Sequence, residues 1–262
     1  MSQLVIVNQM IELTLIPLGL FIAAIFSMVG LAGGTFMVPM LVLLFGLPAQ
    51  KAIGASLFAI MFMTISATVA YAIQKKIDYK VGLLLDTLDV PGAVLGAYIT
   101  TLVASVWLAG MFGGLLVVIA TYITLRKNST KADSEKKLGF SRRVICLCLL
   151  GSLASGIVSG MFGIGGGIID ETVMILLLGM SIHMSIGTSV FGMSITTVAA
   201  VIPHWFLGNI LLDYAIPLTV GCVLGGQLGP YLSKRARAGT LRKILGAILI
   251  FIGLRMLLVP FL

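Results

Sequence analysis

The sequence predicts an all-α integral membrane protein of two inverted repeats, about five transmembrane segments each, with one short glycine-preceded broken helix per repeat. Three observations lead there. The 262 residues are 59% hydrophobic and 10% charged, with mean hydropathy +1.16, whereas soluble domains carry about 25% charged residues. Spanning helices of roughly 20 apolar residues, joined by short loops, fit about nine to eleven times and leave no room for a soluble catalytic module. The third is an internal duplication. A shift of 133 positions carries Gly30, Gly33, Gly34, Leu43, Leu44, Gly46, Ile53, Gly54, Ser56 and Phe58 onto Gly163, Gly166, Gly167, Leu176, Leu177, Gly179, Ile186, Gly187, Ser189 and Phe191. Five glycines and a serine recur there, more than shared Leu/Ile composition explains. A weaker echo sets Gly92 to Gly96 (GAVLG) against Gly221 to Gly225 (GCVLG).

Charge clusters and Gly or Pro punctuation mark off ten segments. The first, 11–29, has no basic region before it, since the first positive residue is Lys51; a retained helix is expected, not a cleaved signal peptide. A short run, 35–48, follows the cluster Gly30 to Gly34 (GLAGG), and 52–74 runs to the basic loop Lys75 to Lys80. Segment 79–102 contains Asp86 and Asp89 just before Pro91 and Gly92, and 106–125 ends at Arg126. Arg126 to Arg143 carries Arg126, Lys127, Lys131, Lys136, Lys137, Arg142 and Arg143 against Asp133 and Glu135, and reads as a solvated cytoplasmic linker. It divides a first repeat, 1–125, from a second, 144–262. The second repeat opens with 144–162. A second short run, 168–180, follows Gly163 to Gly167 (GIGGG); then come 186–207, 213–232 and 244–260.

The net charge of +8, from 17 Lys and Arg against 9 Asp and Glu, sits between apolar runs, so it reads as loop charge with the positive-inside bias and not as a nucleic-acid surface. Loop charge also selects the topology. If all ten segments cross, the basic loops at 75–80, 126–143 and 234–243 share one face, and the loops near 103–105 and 208–212, without Lys or Arg, share the other. If the two short runs re-enter instead, the 234–243 cluster lies opposite the other two. The first arrangement places both termini outside and inverts the second repeat.

The short runs of 14 and 13 residues make roughly 20 Å of helix against a hydrocarbon core of about 30 Å. Glycine clusters before them can run as non-helical backbone at membrane depth only if buried in protein or lining a wet cavity. Half-helices starting there expose unpaired N–H groups and a positive dipole end near the midplane, which suits an anion. Gly33, Gly34, Thr35, Gly165, Gly166 and Gly167 are therefore the candidate cradle. Ser56, Thr188 and Ser189, at the start of the following segments, are candidate hydroxyls to cap free N–H groups or donate to an oxyanion. The alternative for the glycines is close helix packing.

The run SGMFGIGGGII (Ser159 to Ile169) with Gly187-Thr188-Ser189, together with VGLAGGTFMVPML (Val29 to Leu41) and Gly54-Ala55-Ser56, resembles the TauE/SafE sulfite exporter family over nearly the whole chain. The resemblance implies a bacterial or archaeal inner-membrane permease for sulfite, organosulfonates or related sulfur anions, without a defined coupling ion. One departure stands out: Pro39 fits the family pattern, but the second repeat has Asp170, Glu171 and Thr172 where an apolar pair and Pro are usual.

Acids inside apolar runs are expensive and functional by default. Asp170 and Glu171 either sit at the mouth of the half-helix or include a proton-coupling residue. Asp86 and Asp89, on one helix face, are either partly exposed near Lys80 or a protonatable pair on the pathway. His183, His204, Cys146, Cys148 and Cys222 are read as interfacial or packing residues; neither the cysteines nor the scattered Met residues show metal-ligand spacing. No HExxH or nucleophile–His spacing marks an enzyme. The expectation is a secondary transporter in the inner membrane for a small sulfur-containing anion, with protons as candidate coupling ion, no cofactor, no nucleic-acid partner and an oligomer allowed. An anion channel on the same site, or a structural or signalling membrane protein, is the alternative.

Overall fold

The structure, a computed structural model, describes residues 2–125, 142–232 and 238–259. The expected linker falls outside these except for its last two residues, and the 234–243 cluster falls partly outside. Among the described residues ten helices run in order: α1 (Ser2–Val29), α2 (Gly34–Leu43), α3 (Ala49–Ile73), α4 (Tyr79–Leu102), α5 (Ser105–Leu125), α6 (Arg142–Phe162), α7 (Gly167–Leu176), α8 (Ile182–Phe206), α9 (Leu212–Leu232) and α10 (Ala238–Leu257). There is no strand among the described residues. Helices α3, α4, α5, α6, α8 and α9 are each long and apolar enough to cross a membrane. Large apolar side chains such as Leu95, Leu102, Val118 and Ile216 cover their outward faces, which a lipid environment accommodates and water does not.

The 133-residue repeat extends to helix boundaries. Helices α2 to α5 begin at Gly34, Ala49, Tyr79 and Ser105, and α7 to α10 begin 133 positions later at Gly167, Ile182, Leu212 and Ala238. Both short helices are shorter than their apolar runs suggest, 10 residues each, or about 15 Å. They stop at Leu43 and Leu176 because Gly46 and Gly179, at φ 65° and 66°, turn the chain back. Helices α3 and α8 then start at Ala49 and Ile182, so Ser56, Thr188 and Ser189 lie well inside them and do not cap them.

Packing interleaves the two halves. Helix α1 lies on α9, α4 on α6, α5 on α10, and α3 on both α8 and α9. Glycines make these approaches possible, as dispersion, not hydrophobic exclusion, holds helices together in lipid. A Cβ on Gly221 would strike the carbonyl of Ile16 and one on Gly225 that of Leu20, so α1 and α9 run in the same direction. Gly92 meets Leu153 and Gly96 meets Ile157, so α4 and α6 do likewise. Helices α5 and α10 run oppositely, with Gly113 against Gly253 and Gly246 against Thr124. So do α3 and α8, where Thr68, late in α3, donates to the carbonyl of Val190, early in α8.

Turns are pinned at both ends. The Ala49 N–H donates to Ser105 Oγ at 2.7 Å, Gln50 Nε2 to the Val103 carbonyl at 2.9 Å, and Lys51 to the Gly208 carbonyl. At the other end of α3, the Asp78 N–H donates to Thr188 Oγ1 at 2.9 Å, and Gly187 packs on the Lys76 carbonyl.

Candidate functional site

The glycine clusters of the two halves meet. Gly33 and Gly166, the residues before α2 and α7, have φ 71° and 69°, a left-handed conformation that glycine adopts without strain. Neither position has a side-chain cap. The Gly33 carbonyl accepts from the N–H groups of Phe36 and Met37, and the Gly166 carbonyl from Ile169 and Asp170, leaving the first N–H groups of each helix to the space ahead of it. A Cβ on Gly34 would overlap the Gly163 carbonyl, and one on Gly167 would come within 2.7 Å of the Gly30 carbonyl. Gly165 packs in the same way on Ala32. Gly34 also faces Ile60, and Gly167 faces Met193, residues midway along α3 and α8. Two positive helix ends thus sit at mid-height, each backed by the other half's glycines.

The candidate hydroxyls divide. Thr35 and Ser56 are fully buried, and their oxygens have no hydrogen-bond partner, which leaves two donors near the α2 head to offer. Ser189 Oγ donates to the Gly167 carbonyl at 3.1 Å and braces the α7 head. Thr188 is committed to the α3–α4 turn through Asp78.

The four acids are all buried, at 6% exposure for Asp86, 1% for Asp89 and 4% for both Asp170 and Glu171. Partial exposure of Asp86 and Asp89 beside Lys80 is therefore corrected, and Asp170 and Glu171 are buried within α7. Asp86 and Asp89 point from α4 at α8, where the Thr196 hydroxyl donates to Asp89 Oδ2 at 2.6 Å and lies 3.4 Å from Asp86 Oδ1. Gly192 of α8 makes room for Asp86, as a Cβ there would come 3.0 Å from Oδ1. Asp170 of α7 lies beside Ser155 of α6: a Cβ on Gly166 would stand 2.5 Å from Ser155 Oγ and 3.5 Å from Asp170 Oδ2. Glu171 turns the other way, its Oε2 3.1 Å from where a Gly30 Cβ would stand. Towards the α4 start, Val81, Leu85, Cys148 and Met174 form a small apolar cluster that covers this pocket on that side.

Three polar residues of α6 escaped the sequence reading. Ser152, Ser155 and Ser159 are wholly buried on one face at i, i+3, i+7 spacing. Ser152 donates to the Leu85 carbonyl, and Ser155 to the Gly166 carbonyl at 3.0 Å, beside Asp89 and Asp170. That serine periodicity in an apolar run was the available signal. His204 is a packing residue as expected: Nε2 bonds the Gly160 carbonyl at 2.9 Å, and Asn209 bonds Nδ1 at 3.1 Å. Among the described residues no group of three His, Cys, Asp or Glu is arranged to hold a metal ion.

The family model for sulfite exporter TauE/SafE matches residues 15–256. Among curated proteins, the chain is 28% identical to the probable membrane transporter protein YunE of Bacillus subtilis, over 93% of this chain and 96% of that one. It is 27% identical to the probable membrane transporter protein YdhB of the same organism, over 78% and 83%. A probable membrane transporter protein of Methanocaldococcus jannaschii is 26% identical, over 93% and 94%. No solved structure matches. The described helices and the match over nearly the full chain agree: the protein is an integral membrane transporter, not an enzyme, and it belongs to the sulfite exporter TauE/SafE family.

Proposed function

We propose that this chain is a secondary carrier of the inner membrane for a small sulfur-containing anion, sulfite, a sulfonate or a related oxyanion, bound between the heads of α2 and α7. The observation that carries the proposal is the meeting of two uncapped, left-handed glycine heads, Gly33 and Gly166, at mid-height. Two helix ends of the same polarity facing one region favour one anion between them. Gly33, Gly34, Thr35, Ser56 and Gly165 to Gly167 form the cradle, with Ser189 holding the second head; Thr188 acts on it indirectly. Asp86, Asp89, Asp170 and Glu171 are the candidates to carry a coupling proton.

The halves, 1–125 and 144–262 joined by 126–143, work in this proposal as inverted repeats. Helices of equal rank running in opposite directions, α3 against α8 and α5 against α10, support the inversion. The 103–105 and 208–211 turns meet the α3 start, at the other end of that helix from Lys75 and Lys76, which supports a topology with both termini outside under the positive-inside rule. Rocking of one half on the other would expose the site to alternate sides of the membrane.

Proteoliposomes loaded with sulfite test the carrier: labelled sulfite uptake should saturate and be stimulated by internal sulfite. Flux that neither saturates nor responds to internal anion would mean a channel.

A further inference from the structure

The pocket formed by α4, α6, α7 and α8 has more acceptors than protons. Asp86 Oδ2, Asp89 Oδ1 and Asp170 Oδ1 are buried without a hydrogen-bond partner, as is Ser159 Oγ on the same face of α6 as Ser155. Thr196 has a single hydroxyl proton, directed to Asp89 at 2.6 Å. Asp86 Oδ1, 3.4 Å from that hydroxyl oxygen, completes a bond only if its own carboxyl is the donor. Ser155 likewise has one proton, given to the Gly166 carbonyl, although Asp89 and Asp170 stand beside it.

We propose that Asp86, Asp89 and Asp170 form a proton-binding pocket that serves the α7 head alone, and that Ser155 is the positioning residue linking the two. A proton from water adds to a carboxylate oxygen of the pocket when it opens to one side, and the same oxygen returns it to water on the other. With the pocket protonated, Ser155 donates to the Gly166 carbonyl and fixes the head. With the pocket ionised, the Ser155 proton turns to a carboxylate, the Gly166 carbonyl loses its donor, and an added negative charge stands near the anion. Anion and proton therefore favour each other's binding, and the linkage is reciprocal. Other titratable groups around the pocket play no part: Glu171 faces Gly30, Cys148 lies in the apolar cluster, His204 is bonded to Gly160 and Asn209, and His183 lies in the first turn of α8. The proton site stands on its own geometry; its link to the anion rests on the carrier proposal.

Infrared difference spectroscopy of the full chain in lipid tests both parts separately. Without anion, lowering pH should raise the carbonyl band of protonated carboxyls, and aspartate-specific ¹³C labelling of the unsubstituted protein should shift that band. Asp86→Asn, Asp89→Asn and Asp170→Asn should each diminish it, and Glu171→Gln should leave it. A band that does not move with aspartate labelling, or that only Glu171→Gln removes, overturns the pocket. With sulfite or thiosulfate added at fixed pH, the band should grow in the natural protein and in Ser155→Thr, and grow less in Ser155→Ala. Growth in Ser155→Ala equal to that of the natural protein overturns the role of Ser155. Absence of growth in the natural protein overturns the coupling, whatever the first arm gives, and labelled-sulfite binding to the same sample judges the anion site independently.

Discussion

Around Gly33, the neighbours a Cβ would meet are Ile22, Phe26 and Met37; around Gly166, they are Ser155 and Asp170. Ser155 and Asp170 lie 133 positions after Ile22 and Met37, so the same places in the two halves hold apolar side chains in one and a hydroxyl and an acid in the other. The difference continues outward. Asp86, Asp89 and Thr196 correspond to Thr219, Cys222 and Met63; Thr219 bonds its own helix at Ala215, and Cys222 is packed on Gly19. Backbone geometry has been kept in both copies, with φ values two degrees apart at the heads, while the chemistry around them has separated. One head is flanked by Ile22, Phe26 and Met37, and the other by a serine hydroxyl and a buried carboxyl.

Exchanging residues between the halves is the sharpest way to break this contrast. The largest effect is expected from Met37→Asp, which places an acid beside Ile22 and Phe26; loss of about 3–5 kcal/mol is expected for an uncompensated buried charge, read as poor yield or a much lower melting temperature. The reverse exchange, Asp170→Met, should leave melting unchanged or raise it, because apolar replacement of buried charge is often neutral or stabilising. Its cost is functional: sulfite transport by Asp170→Met should vary less with pH than that of the natural chain. An unchanged pH dependence would place the titrating group elsewhere.

Glycine substitutions probe the heads more finely. Gly33→Ala and Gly166→Ala both pay for a positive φ, on the order of 1 kcal/mol. Gly166→Ala should cost more, since its Cβ would stand 2.5 Å from Ser155 Oγ, whereas Gly33→Ala meets Ile22 and Met37 at 3.1 and 3.2 Å. Equal melting temperatures for the two would deny that the second head is held by Ser155. The smallest effect is expected for Glu171→Gln: pH dependence of transport unchanged, because this side chain lies on the Gly30 side of α7.

Much of this arrangement was legible in the sequence. The glycine clusters, the 133-residue shift and the two short runs located both heads because left-handed backbone and close approach demand glycine, and glycine is conspicuous in an apolar chain. Asp170 and Glu171 were conspicuous for the same reason. Their separation onto opposite sides of α7 was not legible, because adjacent residues on a helix diverge by about 100° and only the neighbouring helices decide what each meets. Thr196 and Ser155 were likewise hidden: a hydroxyl inside a membrane helix commonly bonds its own turn, as Thr64, Thr121 and Thr197 do, so its presence alone does not mark a site. Distance along the chain hid the rest, since the Thr196–Asp89 bond joins residues 107 positions apart.

The central claim is that two heads make one anion site. Equilibrium binding of labelled sulfite to purified protein tests it most directly, measured for the natural chain and for Gly34→Ala and Gly167→Ala variants confirmed as folded. Binding should saturate at one anion per chain, be displaced by thiosulfate or sulfoacetate but not by simple carboxylates, and weaken at least about tenfold, or roughly 1.4 kcal/mol, in both variants. Two anions per chain, or undiminished binding in a folded variant of either head, would contradict it.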